Sequence, residues 1–234
     1  MRAAQSLYLS GLISYPRTSS QKLPASIGFK KILEMLEKQK EYSSSCKQVL
    51  STKLKPNEGK KSDPAHPAIY PTGEKETLSG KKAQLYDLIV RRFLAVFGEP
   101  AKRQTVSIDI DVNKELFHLT GTTTLEPGWH TLYGKYAKFK EEELPEMKTG
   151  EEIKVKKIYD EEKETLPPKR YSQASLLKEM EKMNLGTKAT RAGIIDTLYD
   201  RGYIQNQPIE TSELGLKLIK TLEKYSPEII DENL

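Results

Sequence analysis

A chain of 234 residues, 36% hydrophobic and 30% charged, can bury a sizeable core and suits one large domain or roughly two to three small ones. Lys and Arg outnumber Asp and Glu by 38 to 33, a net charge of +5 that leans weakly toward a polyanionic partner. The single cysteine, Cys46, excludes an intrachain disulfide and a Cys-rich zinc site. The histidines His66, His118 and His130 are too scattered to suggest a metal cluster, and no apolar run reaches the roughly 18 residues that span a bilayer, so a soluble, cytoplasmic protein without a membrane partner is expected.

In chain order, Ala4 to Ile13 reads as a helix stopped by Gly11, followed by a short apolar strand into Tyr15. A helix beginning near Ser26 carries Phe29, Ile32, Leu33 and Leu36 on one face. Residues 57–77 form a loop punctuated by lysine and proline. A helix from about Ser79 to Phe97 turns Leu85, Leu88, Ile89, Phe93 and Val96 inward and ends at Gly98 and Pro100. Residues 101–166 read as β-rich: Thr105–Val112 alternates strictly, and Phe117–Leu125, His130–Tyr133 and Glu152–Ile158 extend the series. Turns are expected at Pro127-Gly128 and Thr149-Gly150, and Trp129 as a core residue. Pro167-Pro168 marks a boundary, after which helices return. One helix runs from an N-cap at Ser172 through Met183 to a stop at Gly186. The next, opened by Thr187 and Lys188, carries Ile194, Ile195, Leu198 and Tyr199 to about Arg201. A short hairpin turning at Asn206-Gln207-Pro208 leads to a helix over about Ser212 to Lys224. Helix, turn, helix, hairpin, helix is a winged-helix-like order.

The most informative residues are Ser14-Tyr15-Pro16-Arg17-Thr18-Ser19. Pro16 fixes its own φ and drives Tyr15 toward extended geometry, and in an extended segment residues i and i+2 share a face. A phenol is thereby set beside a guanidinium, the minimum kit for attack on a phosphodiester. The phenol is the nucleophile, and the guanidinium grips the phosphate bidentately and stabilises transition-state charge. A second element, Asp63-Pro64-Ala65-His66-Pro67-Ala68-Ile69-Tyr70-Pro71-Thr72, stiffens the loop with three prolines and holds His66 extended before Pro67. A histidine presented so can donate to a phosphate or move a proton. A third, Thr187, Lys188, Thr190 and Arg191, gathers hydroxyls and cations at an expected helix N-terminus, where free N–H groups and the dipole favour phosphate. Such groups contact nucleic-acid backbone rather than read bases.

The run AQSLYLSGLISYPRTSSQKLP, the D-x-A-H-x-A-I-x-P-T element and the segments PKRYSQASLLKEME, LGTKATRAGII and LYDRGYI resemble type IA DNA topoisomerases, most closely the archaeal kind. The resemblance spans nearly all of the chain and is thinnest in the β region. It implies that Tyr15 attacks one DNA strand and keeps its 5′-phosphate as a phosphotyrosine, with Arg17 on the scissile phosphate and His66 assisting. It further implies that Thr18, Ser20, Lys169, Arg170, Thr187, Lys188, Thr190 and Arg191 lie along single-stranded DNA. The implied fold is α+β and multidomain: a helical, winged-helix-like tyrosine domain over residues 1–100, a β-rich arch over 101–166 and a partial helical base domain over 167–234. A monomer is expected.

The sequence departs from that family in two ways. Bacterial members usually carry an acid two residues after the arginine, where this chain has Ser19. Family enzymes also begin with a Toprim domain holding acidic residues for Mg²⁺, which nothing here matches. The chain opens 14 residues before Tyr15, and its end at Asn233-Leu234 reads as falling within the base domain. A fragment of a longer enzyme is therefore expected, with Mg²⁺ bound by the absent half and none by this one. Because a phenol titrates near ~10 in water, it needs activation that Arg17 and His66 supply only in part, so strand binding without efficient cleavage is expected of the fragment alone. Two rival readings stay open: a non-catalytic winged-helix DNA-binding protein, which leaves the Tyr15 and His66 segments idle, and an interaction scaffold with incidental basic charge. The topoisomerase half of a reverse gyrase is a third architecture compatible with the same motifs.

Overall fold

The computed structural model describes residues 2–231; Asn233 and Leu234 lie outside them. The described chain mixes helix and strand and divides into two compact units, residues 1–153 and 154–234.

The first unit opens with α1 (Arg2–Leu9), whose buried residue is Leu7. The helix ends where Gly11 takes φ +71°, the amide of Leu12 donates to the carbonyl of Leu7, and that of Gly11 donates to Tyr8. This paired closure consumes carbonyls the helix end would leave unmet, and its left-handed residue suits glycine. It turns Leu12 and Ile13 straight into the core, both 2% exposed. A 3₁₀ turn at Ala25–Ile27 precedes α2 (Phe29–Glu37), so the helix expected from Ser26 starts later; its inward face is the expected Phe29, Ile32, Leu33 and Leu36. A helix that sequence reading did not identify, α3 (Ser43–Leu50), packs Cys46 and Val49 against α2. The long α4 (Gly80–Ala95) buries Tyr86, Val90, Phe93, Leu94 and Ala95, with Leu85, Ile89 and Val96 partly buried at its margin. Phe29, Phe93 and Phe97 meet edge to face at centroid distances of 5.1 to 6.4 Å, a favoured aromatic geometry.

Strands β1 (Lys102–Val112) and β2 (Glu115–Glu126) form one antiparallel hairpin, closed by Asn113 and Lys114 at positive φ. Both central residues of that turn being left-handed matches the twist a two-residue hairpin loop needs. The hairpin is largely exposed on both faces. Two expected strands are corrected. His130–Tyr133 belongs to α5 (Trp129–Tyr133), and Glu152–Ile158 has no regular structure. Trp129, Leu132 and Tyr133 stand at i, i+3 and i+4, a helical rather than alternating spacing, and they pack onto the core formed by α1–α4. The later run, though alternating, pairs with no strand among the described residues. The chain after α5 crosses β2, where the amide of Glu142 donates to the carbonyl of Thr122 at 3.0 Å. Gly121 is buried there, and the crossing leaves room for no side chain, since a Cβ would collide with Glu142 and Leu144.

A four-way clasp holds α5 and its following 3₁₀ turn (Gly134–Tyr136) to α4. Asp87 accepts from Arg91 Nε at 2.9 Å, Tyr136 OH at 2.9 Å, Lys135 Nζ at 2.7 Å and Tyr42 OH at 3.2 Å. Burial alone would raise the Asp87 carboxyl. The hydrogen bonds from Lys135 and Tyr136 and the charge of Arg91 outweigh it and hold the group below its usual range.

The second unit contains α6 (Gln173–Lys182), α7 (Arg191–Asp200), the two-residue strands β3 (Ile204–Gln205) and β4 (Glu210–Thr211), and α8 (Glu213–Tyr225). That is the order of elements expected from the sequence, with α7 starting at Arg191 rather than Thr187. Ser172 and Ser175 cap α6 reciprocally, and Ser212 caps α8 by accepting from the amide of Gly215. No helix among the described residues is long and apolar enough to cross a membrane.

Candidate active site

Tyr15 stands on the irregular segment that leaves the Gly11 turn. That segment is pinned to the proline-rich loop at one end. Ile13 bridges Pro71, the amide of Ser14 donates to the carbonyl of Tyr70 at 2.9 Å, and the amide of Tyr70 donates to Ser14 Oγ at 3.0 Å. Thr72 completes the join by donating from its amide to the carbonyl of Leu12 and from its hydroxyl to that of Gly11. These ties bring together residues about 50 to 60 positions apart in sequence. They deliver His66 to Tyr15, with the two rings 4.4 Å apart between centroids and tilted by 44°. On its other side Tyr15 meets the edge of Tyr8 at 5.3 Å.

Arg17 follows two residues on. Its Nε is buried and has no hydrogen-bond partner among the described residues. A buried guanidinium donor without an acceptor is costly, so the arrangement calls for an anion. A second orphan, Gln5 Oε1 on α1, sits one helical turn before Tyr8. Neither Gln5 nor Tyr8 was singled out in the sequence. Their spacing of three on a helix ending at the tyrosine segment was the available signal.

Thr18 and Ser20, expected along the strand, brace the segment from within. Thr18 Oγ1 donates to the carbonyl of His66 at 3.2 Å and accepts from the amide of Ser20 at 3.0 Å, and Ser20 Oγ accepts from the amide of Lys22 at 3.1 Å. Ser19 donates from its hydroxyl to Asp63 Oδ2 at 3.3 Å. Structure therefore unites Tyr15, Arg17, Thr18, Ser20 and His66 in the first unit and adds Tyr8 and Asp63.

The other expected strand contacts lie in the second unit. Lys169 and Arg170 are exposed on the approach to α6. Thr187 and Thr190 close a turn before α7: the amide of Thr187 donates to Thr190 Oγ1 at 2.8 Å and their hydroxyls lie 3.1 Å apart. Lys188 is exposed on that turn. Arg191 differs from its neighbours. It is 9% exposed, and its guanidinium donates to the carbonyls of Leu185 at 2.9 Å and Gly186 at 3.1 Å. It braces the turn rather than facing outward.

Among the described residues no three His, Cys, Asp or Glu side chains gather to hold a metal.

A tyrosine against a histidine ring, followed by an arginine with an unmet buried donor, is an arrangement chemically suited to a phosphate group. Comparison with known proteins then gives the family. The DNA topoisomerase family model matches residues 1–234, and the chain belongs to that family, of type IA. DNA topoisomerase 1 of Pyrococcus horikoshii is 53% identical over 236 residues, covering 99% of this chain and 34% of the relative. DNA topoisomerase 1 of Methanocaldococcus jannaschii is 49% identical, covering 99% of this chain and 31% of that protein. The chain thus spans about a third of the length of these relatives. The solved full-length topoisomerase I of Thermotoga maritima has a like fold, with TM-score 0.71 at 23% identity over all of this chain and 40% of that one.

Proposed function

We propose that this chain carries the nucleophile-bearing part of a DNA topoisomerase that cuts and rejoins one DNA strand. Tyr15 Oη attacks the scissile phosphorus, the bond to the 3′-oxygen breaks, and the 5′-phosphate stays on the tyrosine. The bond energy is conserved in that ester, so religation by the 3′-hydroxyl needs no ATP. Supercoils relax as the other strand passes while the cut is held. Arg17 holds the phosphate and offsets charge that grows in the transition state. His66, against the Tyr15 ring, donates to the phosphate or moves the proton. In the second unit Lys169, Arg170, Thr187, Lys188 and Thr190 contact the backbone of single-stranded DNA. A helical tyrosine domain, a β arch and a base domain of winged-helix character are the architecture this reading gives the chain, acting as a cytoplasmic monomer. Mg²⁺ would be held by a Toprim domain outside these residues. The observation that carries the proposal is the unmet, buried Nε of Arg17 on the segment whose tyrosine packs against His66. A non-catalytic DNA-binding module would leave all three without a purpose.

The test uses a single-stranded oligonucleotide labelled at its 3′ end, incubated with Mg²⁺, quenched in denaturant and resolved on a denaturing gel. The samples are this chain, this chain with the Toprim-bearing part proposed for the longer protein, and the same mixture with Tyr15→Phe. The expected result is a protein-linked label that needs the added region and vanishes with Tyr15→Phe. Tight strand binding by associated halves with no adduct would overturn the assignment of Tyr15.

A further inference from the structure

We infer that Asp63 is a positioning residue for the reaction, a carboxylate that holds the segment bearing Tyr15 and Arg17 in register with the loop bearing His66. The inference rests on the function proposed above. Its two oxygens divide the work. Oδ1 accepts from the amide of Ala65 at 3.1 Å, turning the chain immediately before His66. Such a side-chain turn is the characteristic local act of an aspartate. Oδ2 accepts from Ser19 Oγ at 3.3 Å and faces the Ser19 amide at 3.5 Å, two residues past Arg17 and 44 residues away in sequence. One half-buried side chain therefore shapes the turn that presents the histidine and grips the strand that presents the nucleophile.

Neither segment has a hydrogen-bond ladder at this point; the isolated bridge between Ile13 and Pro71 lies at the far side of Tyr15. Between that bridge and Lys22 the same two segments are also tied by neutral bonds: Thr18 Oγ1 donates to the carbonyl of His66 at 3.2 Å, the amide of Gln21 donates to the carbonyl of Lys61 at 2.8 Å, and the amide of Lys61 donates to Gln21 Oε1 at 3.2 Å. Among these ties Asp63 offers a charged acceptor, and a hydrogen bond to an ionised acceptor is roughly twice as strong as a neutral one; it also reaches both the segment past Arg17 and the turn before His66. The Tyr15 and His66 rings, 4.4 Å apart, lie between the Ser14 and Ser19 ties. Loosening one tie frees the rings to slide, and a displacement of about 1 Å at a reacting group costs on the order of 10²-fold in rate.

The test compares Asp63→Ala, Asp63→Asn, Ser19→Ala and the double variant Asp63→Ala/Ser19→Ala. The rate of Tyr15 adduct formation is measured at saturating oligonucleotide in the two-part mixture described above, alongside strand affinity. Asp63→Ala is expected to slow adduct formation about tenfold to a hundredfold with affinity changed less than about twofold. Asp63→Asn keeps an acceptor for Ala65 and is expected to fall between it and the unsubstituted protein. Adding Ser19→Ala to Asp63→Ala is expected to cost nothing more, because both act through one tie. A second readout stands apart from the chemistry: the nuclear Overhauser contact between the Tyr15 and His66 rings in the full chain is expected to weaken in Asp63→Ala while the melting temperature holds. Rates unchanged in every variant, additive losses, or losses that follow melting temperature would overturn the inference, as would a ring contact that persists in Asp63→Ala. If the unsubstituted protein forms no adduct, the reaction proposed for Tyr15 fails, and the ring contact alone then decides for or against the tether.

Discussion

Replacing Asp87 with alanine removes an acceptor that four donors share, and the cost can be worked from their surroundings. Tyr42 is 2% exposed, so its hydroxyl loses its partner where water does not reach. That leaves an unmet buried donor, worth about 1–3 kcal/mol. Arg91 is about a quarter exposed and at 2.9 Å, a charge-assisted bond contributing roughly 1.5 kcal/mol or more. Lys135 is mostly exposed, and solvent screens its attraction, so it adds little. Tyr136 adds a neutral donor to a charged acceptor at 2.9 Å. Because the four share one acceptor the losses are not additive, and about 3 kcal/mol is expected for the first unit. Urea unfolding followed by far-ultraviolet circular dichroism should show a lower midpoint with an unchanged slope. The same residue has a pH signature. Its carboxyl is depressed in the folded state, so its contribution is present above the unfolded value near ~3.9 and is lost as pH falls through the lower folded value. The acid limb of the stability curve should therefore be shallower in Asp87→Ala. A loss below about 1 kcal/mol, or an acid limb identical to that of the unsubstituted protein, would refute the reasoning.

Three further outcomes follow from other parts of the molecule. Leu36→Ala, at a side chain with no exposure, should cost about 2–5 kcal/mol in the same unfolding assay. Tyr42 and Tyr86 are both raised, chiefly by burial, so the stability they confer is intact below about pH 10 and declines as pH rises through it. A stability curve flat from pH 9 to 11.5 would count against that, pH being the only variable changed. Gly11→Ala meets no atom within 4 Å but must hold φ +71°, so its cost should be the left-handed penalty alone, about 1–2 kcal/mol, read as a shift in urea midpoint.

What could be read from the sequence, and what could not, divides by the range of the forces involved. Pro16 and Pro67 act on their immediate neighbours, so Tyr15 and His66 stood out as candidate groups from the residues themselves, and the structure sets their rings 4.4 Å apart. So was the inward face of α2, where Phe29, Ile32, Leu33 and Leu36 repeat at helical spacing and are all buried. α3 was silent because only Cys46 and Val49 of its eight residues are buried, too few to set a period. His130-Thr131-Leu132-Tyr133 was short enough to fit either period, and contact with the aromatic core decided it. Arg191 carries the same point into the second unit. In sequence it is one more cation beside Lys188, but Asn184 and Gly186 at positive φ fold the chain back, and the carbonyls of Leu185 and Gly186 take its guanidinium. No local rule assigns a cation inward when the acceptors that attract it exist only after the turn has formed. The tie between Ser19 and Asp63 belongs to the same class, since its partners lie 44 residues apart and neither residue's neighbours hint at the other. Chemistry in this protein is thus legible at the level of which groups are present, because proline stiffness is local. The register between those groups is not, because it depends on hydrogen bonds that close over long loops.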